Sequence, residues 1–299
     1  MSRFVFRARV PVERPFALGL TAMALQRLST NAVDMIDADG RYRRALTFGK
    51  RNIVMRVRQV ASRMLEVELV GARTGRLLPT AQRMLGTQVD PRPWERRVSA
   101  VSWLKQLTKQ HAGLRPPRYP TLWEAVAHAV VFQQISIHAA GAIMRRFVVQ
   151  FSAPLEDDGV LLYPFPEAQT VAKATLKKML HVGLSANKAL ALKDAALAFA
   201  GGRISEARLQ RLPTAEAIAA LSALRGIGAW SAAVILLRGL GRLDVFPLND
   251  SGVAATLKLV APDATVDLDR LLLQLGDQRG MLYFHLLLGR LAHRERIRE

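Results

Sequence analysis

The chain has 299 residues, half of them hydrophobic, with 43 Lys and Arg against 24 Asp and Glu, for a formal net charge of +19. This composition excludes a disordered or collagen-like chain and allows two or three domains. Cysteine is absent, which excludes disulfides, thiolate zinc sites and iron–sulfur clusters. Apolar runs fall short of the ~18 residues of a membrane span, and Met1-Ser-Arg-Phe-Val-Phe-Arg lacks a signal-peptide core. A cytoplasmic, nucleoid-associated protein without membrane contact is therefore expected. The charge points to a polyanion, nucleic acid first, because neutralising phosphates releases counterions. A basic solvated surface is the alternative.

Phe4, Phe6, Ala8 and Val10 alternate with polar neighbours and predict a strand. Pro15 opens a helical stretch from Phe16 to Leu28. Strands follow over Arg51–Val60, with Ile53, Met55 and Val57 on one face, and over Leu65–Val70, joined by a tight turn at 61–63. Residues 1–85 thus read as an α+β domain, a small antiparallel sheet with a helix. Up to residue 110 there are 21 basic and 8 acidic residues, so +13 of the +19 lies here.

From about residue 78 the period becomes helical. Helices are predicted over 80–87, 92–108, 121–134, 136–151, 168–180, 185–200, 214–224, 229–239, 251–260, 266–275 and 279–293. Pro116-Pro117, Pro120, Pro164, Pro166, Gly201-Gly202, Pro213, Pro247 and Pro262 separate them. Thr214 with Glu216 and Asp267 with Asp269 mark helix starts. The six histidines show no metal-ligand spacing. His128 and His138 read as core or surface groups, Trp103 and Trp123 as core, and Asp157-Asp158 as a solvated loop.

The most informative stretch is Leu224-Arg225-Gly226-Ile227-Gly228 between two apolar helices. Glycines here let another chain approach the backbone, and the second helix presents free N–H groups suited to a phosphate. Ile227 can point inward and lock the helices together. An ordinary helical hairpin is the bland reading; the small residues Ala229, Ser231 and Ala232 and the basic charge favour phosphate binding. Asp250 lies 22 residues beyond Gly228, at the start of another helix. It is a good N-cap, but its place at the foot of the hairpin also sets a carboxylate beside a bound nucleotide's sugar.

Gly226-Ile-Gly-Ala-Trp-Ser-Ala, Leu237-Arg-Gly, Asp244-Val-Phe and Asp250 resemble the helix-hairpin-helix DNA glycosylases, closest to the bacterial 3-methyladenine DNA glycosylase II type. Ala129-Val-Val-Phe-Gln-Gln-Ile-Ser136, Leu184-Ser-Ala-Asn-Lys-Ala-Leu-Ala-Leu192 and Tyr283-Phe-His-Leu-Leu-Leu are similar to further segments of that family. The resemblance implies that a mainly α-helical, two-lobed core follows the α+β domain. One lobe is formed by 86–115 and 240–299, the other by 116–239 with the hairpin at 214–239. It further implies that Asp250 is catalytic and that Leu224, Arg225, Gly226, Ile227, Gly228 and Ala229 hold the DNA backbone. A monovalent cation is implied on carbonyls near Ser222, Leu224 and Ile227, with no side-chain metal site and no cofactor. Gln134 matches the side chain inserted where a nucleotide flips out, with Gln133 and Ser136 beside it.

Trp230 matches a base-pocket aromatic, at the position where bifunctional relatives carry a nucleophilic lysine. No lysine occurs between Lys193 and Lys258, so a Schiff-base step is not expected. Phe132, Val234 and Ser251 complete the expected pocket. Val234, Ser251 and the Arg279-Gly280 region depart from the family's aromatic residues, and Leu248-Asn249 replaces its usual pair before the aspartate. The function implied is a monofunctional glycosylase, acting as a monomer on double-stranded DNA that contains damaged bases and removing alkylated purines of the 3-methyladenine and 7-methylguanine type. A non-catalytic DNA-binding module, or a glycosylase for another damaged base, is the alternative.

Overall fold

The computed structural model describes residues 4–262 and 264–296. Its first part is an antiparallel sheet with α-helices on one face. Strands β1 (Val5–Pro11), β2 (Asp34–Ile36), β3 (Tyr42–Phe48), β4 (Arg51–Ala61) and β5 (Met64–Val70) run in the order β1-β5-β4-β3-β2, with α1 (Leu18–Gln26) between β1 and β2. Ile53, Met55 and Val57 share one face, as their alternation predicts. That face buries Leu18, Ala22 and Leu25 of α1 and Met84 and Leu85 of α2 (Leu78–Leu85).

Two strands escape the sequence reading. Tyr42 to Leu46 is buried on both faces, so β3 shows no alternation, and β2 is only three residues long. The hairpin of β6 (Leu155–Asp157) and β7 (Val160–Leu162) was also not expected. It covers the far face of the large sheet, with Leu162 packed among Ala45, Val54 and Val70. The solvated reading of Asp157 is therefore corrected. Its side chain is buried and accepts from Arg56 (Nε 2.8 Å) and Arg43 (Nη1 3.0 Å). Burial pushes its pKa up, but the two arginines outweigh this and hold it below the usual value. Both partners lie more than 100 residues away, so local pattern could not reveal them. Asp158 is the exposed member of the pair.

The remainder is helical. The predicted 92–108 helix is two, α3 (Arg92–Val98) and α4 (Ser102–Gln110), and α5 (Leu122–Val131) and α6 (Ile137–Phe151) follow. The predicted 168–180 helix also splits, into α7 (Ala168–Lys173) and α8 (Leu176–His181), because Thr175 caps a new start by accepting from Lys178 N–H. Then come α9 (Ala186–Ala200), the unpredicted α10 (Glu206–Arg211), α11 (Thr214–Ser222) and α12 (Ala229–Ile235), which widens into a π turn over Leu236–Leu240. The last helices are α13 (Ser251–Val260), α14 (Leu268–Leu275) and α15 (Arg279–Arg296). One cluster of buried side chains runs from Ala24 of α1 to Leu291 of α15. Trp123 is in this cluster, and Trp103 packs half-buried against it. Among the described residues no helix is long and apolar enough to cross a membrane.

Two buried arginines dock the sheet part onto the helices. Arg44 of β3, fully buried, donates to Asp34 (2.6 Å) and to both carboxylate oxygens of Glu124 on α5 (2.5 and 2.6 Å). Arg238 of the π turn gives both Nη atoms to the Ala24 carbonyl at 3.1 Å, with its guanidinium over Tyr119 and Phe284.

His111 and His285 stack at 5.4 Å with Nδ1 atoms 3.3 Å apart, beside Trp94. Burial lowers their pKa values to about 4 and about 3. Unfolded histidines titrate near ~6.5, so stability that is whole above that pH is lost as the pH falls toward the folded values. At pH 5 the expected loss is ~2 kcal/mol for each ring relative to pH 7. Urea unfolding of wild type and of His111→Gln/His285→Gln at the two pH values measures it, since other titrations cancel in the difference. An equal drop in both proteins would refute the assignment.

Candidate active site

α5 ends at Phe132, and the turn 132–136 leads into α6, whose N-cap Ser136 accepts from Ala139 N–H at 3.2 Å. This turn, the α11–α12 hairpin and the residues before α13 border a cleft of about 790 Å³. Phe132, Gln133, Gln134, Ser136, Gly226, Gly228, Trp230, Val234 and Asp250 all line it, together with Arg27, Tyr283 and Arg290 from elements far away in sequence.

Asp250 has a double attachment. Its Oδ1 accepts from the N–H groups of Gly252 (2.7 Å) and Val253 (3.2 Å), capping α13, while the Trp230 indole donates to Oδ2 at 3.1 Å. The preceding Asn249 sits at a φ of +60°, a left-handed conformation that Asn tolerates better than most residues. The cap and the indole fix both oxygens, so the carboxylate presents one orientation to the cleft. A side chain at position 252 would meet Asp250 Oδ1 and the Arg290 guanidinium, which accounts for glycine there. The Ser251 side chain lies outside the described residues.

The hairpin is locked by Ile227, buried between its helices, whose N–H donates to the Leu224 carbonyl at 3.1 Å. Leu224 packs half-buried on the core, while Arg225, Gly228 and Ala229 face outward. The two glycines differ in what they serve. Gly226 has a φ of +73°, and a Cβ there would come within 2.9 Å of Ala191. Gly228 has ordinary extended backbone, and a Cβ there would meet nothing within 4 Å. The fold needs the first glycine and not the second. The carbonyls of Ser222, Leu224 and Ile227 are hard oxygen donors, the chemistry a monovalent cation takes, although Leu224 already accepts the Ile227 amide.

The turn at 132–136 is braced from two sides. Gln133 Nε2 donates to the Gly226 carbonyl (2.8 Å) and to Ser231 Oγ (2.6 Å), tying the turn to the hairpin. Lys188 of α9 donates to the carbonyls of Val131 (2.9 Å) and Gln133 (2.7 Å), closing the end of α5. Burial lowers the Lys188 pKa. Held this way, Gln134 stands exposed at a φ of +54°. Sequence reading placed Gln133 and Gln134 side by side as DNA contacts; the structure commits Gln133 to the protein and leaves Gln134 free to project.

Behind Phe132, His128 stacks on Tyr119 at 4.3 Å. Burial, with Arg27, Arg238 and Arg44 nearby, holds its pKa well below the ordinary value, so it is neutral at physiological pH. Arg27, just past α1, lays its guanidinium over the Phe132 ring at 5.1 Å and reaches Tyr283 Oη at 3.5 Å. No sequence signal marks Arg27, because its neighbours in the cleft lie more than a hundred residues away. Tyr283 lines the cleft while Phe284 is fully buried, a division that follows from adjacent positions on one helix.

Residues 127–270 match the model of the HhH-GPD superfamily base excision DNA repair protein. The chain is 28% identical over 171 residues to the DNA-3-methyladenine glycosylase of Bacillus subtilis, covering 57% of this chain and 56% of that protein. It is 26% identical over 231 residues to DNA-3-methyladenine glycosylase 2 of Escherichia coli, covering 75% and 78%. The chain spans about half the length of the curated relatives it matches (56%, 53% and 50% in three cases). In fold it is similar to the 3-methyladenine DNA-glycosylase of Archaeoglobus fulgidus, with a TM-score of 0.79 at 23% identity over 94% of this chain and 97% of that one.

Gly228→Val tests the hairpin. The free space at this position predicts a folded protein with unchanged melting, and loss of backbone approach predicts weaker binding to damaged and undamaged duplex alike. Gly226→Ala is expected instead to lower stability by ~1 kcal/mol or more, through its positive φ and the Ala191 contact. Fluorescence anisotropy and thermal melting on both variants check the contrast; wild-type DNA affinity in folded Gly228→Val would contradict it.

Proposed function

We propose that this chain is a monofunctional DNA glycosylase that flips an alkylated purine out of duplex DNA and hydrolyses its N-glycosidic bond. The observation that carries the reading is Asp250, held by the α13 cap and the Trp230 indole against a cleft of about 790 Å³. A pocket of that size accommodates a flipped nucleotide.

The hairpin amides and Arg225 take the DNA backbone, and the carbonyls near Ser222, Leu224 and Ile227 would hold a monovalent cation, which would supply positive charge toward phosphate. Gln134 fills the gap the flipped nucleotide leaves. The base enters the cleft toward Trp230, Phe132 and Val234. As the C1′–N bond lengthens, the sugar becomes oxocarbenium-like, and the fixed Asp250 carboxylate stabilises that cation. Water then adds to C1′ and gives up a proton. A purine alkylated on a ring nitrogen already carries positive charge and leaves without a strong acid, so one carboxylate suffices. Trp230 stands where a nucleophilic amine would be needed, and the Lys188 ammonium is committed to two carbonyls; borohydride is expected to trap no covalent protein–DNA adduct, and a trapped adduct would overturn the monofunctional assignment.

Asp250→Asn decides between an enzyme and a binding module. Asn caps a helix about as well as Asp, so melting should shift little, although the Trp230 contact is lost. Removing the charge should slow base release by about 10²-fold or more, with DNA affinity kept. Single-turnover release of 3-methyladenine or 7-methylguanine measures this. Full activity in the variant would remove Asp250 from the mechanism, and no release by wild type would favour the binding module.

A further inference from the structure

The five-stranded sheet distributes its charges unevenly. Across its middle the arginines are paired, Arg7 with Glu68 (2.7 Å), Arg58 with Glu66 (2.6 Å) and Arg43 with Asp37 (2.6 Å). One end differs. Residues 4–6, 47–52 and 70–76 meet there, with Lys50, Arg51, Arg73 and Arg76 all exposed and no acidic residue in these segments. Among the described residues no carboxylate pairs with Lys50, Arg51 or Arg76. The same end is aromatic, with Phe4 55% and Phe48 44% exposed. The Arg73 guanidinium lies over the Phe4 ring at 4.0 Å, and its loop continues across Phe6, which a Cβ on Gly75 would meet at 2.7 Å. By alternation with Leu46 and Ile53, Phe48 and Arg51 lie on the face of the sheet that carries α1.

This end also lies toward the cleft. α1 starts at the opposite end, where Leu18 N–H donates to Gln59 Oε1 at 3.0 Å, beside the Gln59–Leu65–Val10 row. A second row, Phe6–Leu69–Met55–Arg44–Asp34, crosses all five strands. The connection from α1 to Asp34 therefore comes down at the cationic end, and it begins with Arg27, which borders the cleft. In the order β1-β5-β4-β3, Phe4 and Phe48 stand three strand spacings apart, ~14 Å, which is the rise of about four base pairs. Four cations over that width match a run of phosphates in sign and extent. A guanidinium stacked on a ring keeps its charge and its edge donors for phosphate, so Phe4 holds Arg73 ready rather than neutralising it.

We propose that this end of the sheet is a second DNA contact, which grips the duplex flanking the cleft while the hairpin grips it beside the cleft. Its cations meet phosphate and Phe48 meets deoxyribose, so the surface positions DNA without reading sequence. Duplex is favoured over an unpaired strand because the cleft lies on the same side and a duplex seated there extends beyond it. The proposal rests on the reading that the chain acts on duplex DNA, and it gives the α+β part a task apart from supporting the fold.

The test is anisotropy titration of wild type and of Lys50→Gln/Arg51→Gln/Arg73→Gln/Arg76→Gln over a range of salt concentrations, with melting recorded for each. The probes are duplexes of about 30 and about 10 base pairs, each with one central abasic-site analogue, and a single strand of the longer length. The variant is expected to bind the long duplex about 10-fold or more weakly, and its slope of log affinity against log salt should fall by about 3. The short duplex should be bound as by wild type. Gly228→Val should instead lose affinity for both lengths. Lys50→Gln/Arg51→Gln should show about half of the slope change, and it keeps the test decisive should the fourfold variant not fold. Unchanged affinity for the long duplex, or equal loss on both lengths, would overturn the proposal. Loss confined to the single strand would overturn it too and assign the surface to unpaired DNA. Release of 7-methylguanine by wild type, measured alongside, tests the glycosylase reading separately. No release together with the expected length dependence would refute that reading and leave the second contact standing, whereas wild type that binds neither duplex would refute both.

Discussion

The structure depends on a charge that has nowhere else to go. Arg44 is wholly buried, and only Asp34 on one side and Glu124 on the other can compensate it. Tyr42 adds a hydrogen bond to the same Asp34 at 2.5 Å. Deleting one partner of such a set leaves an uncompensated ion and costs about 3–5 kcal/mol, so the sheet can dock on α5 in only one position. Burial raises the Glu124 pKa against the pull of Arg44, both side chains being almost wholly shielded from solvent. The consequence for the cleft is direct. α5 ends at the turn that projects Gln134, and α1, packed between the sheet and the helices, ends at Arg27.

Within the cleft, few side chains act alone. Trp230, expected as a stacking surface, also orients the Asp250 carboxylate; Gln133, expected as a DNA contact, joins the turn to the hairpin; and Ser136 caps the helix that follows. Groups meant to meet a ligand are held by groups that do not meet it, which is the general requirement for a site that keeps its geometry before substrate arrives. The arginines divide the same way. Arg44 is held by two carboxylates and Arg238 by the Ala24 carbonyl, whereas Arg27 meets the Phe132 ring and, at 3.5 Å, Tyr283 Oη at the border of the cleft.

What was legible in the sequence is what recurs at short range. The alternation of Ile53, Met55 and Val57, the glycine pair of the hairpin and the helix starts at Thr214 and Asp267 all carry their signal within a few residues, and a resemblance in 224–250 marked Asp250. The strand Tyr42–Phe48 was missed because its two arginines look like solvent-facing residues until their distant carboxylates are known. Asp157 was misread for the same reason, with partners on two strands a hundred residues earlier. Arg27 and Tyr283 meet only when the first helix and the last are folded together, and no local period announces that.

Because Gln133 ties the 132–136 turn to the hairpin, the proposed glycosylase would meet DNA with the two as one body, and bending would fall on the nucleic acid. A rigid probe pressed against a duplex reads how readily each step yields, and steps with poor stacking or pairing yield first. On that reading sorting would begin before any base reached Asp250: sound base pairs would resist and be left behind, and chemistry would be reserved for the few sites that had already given way.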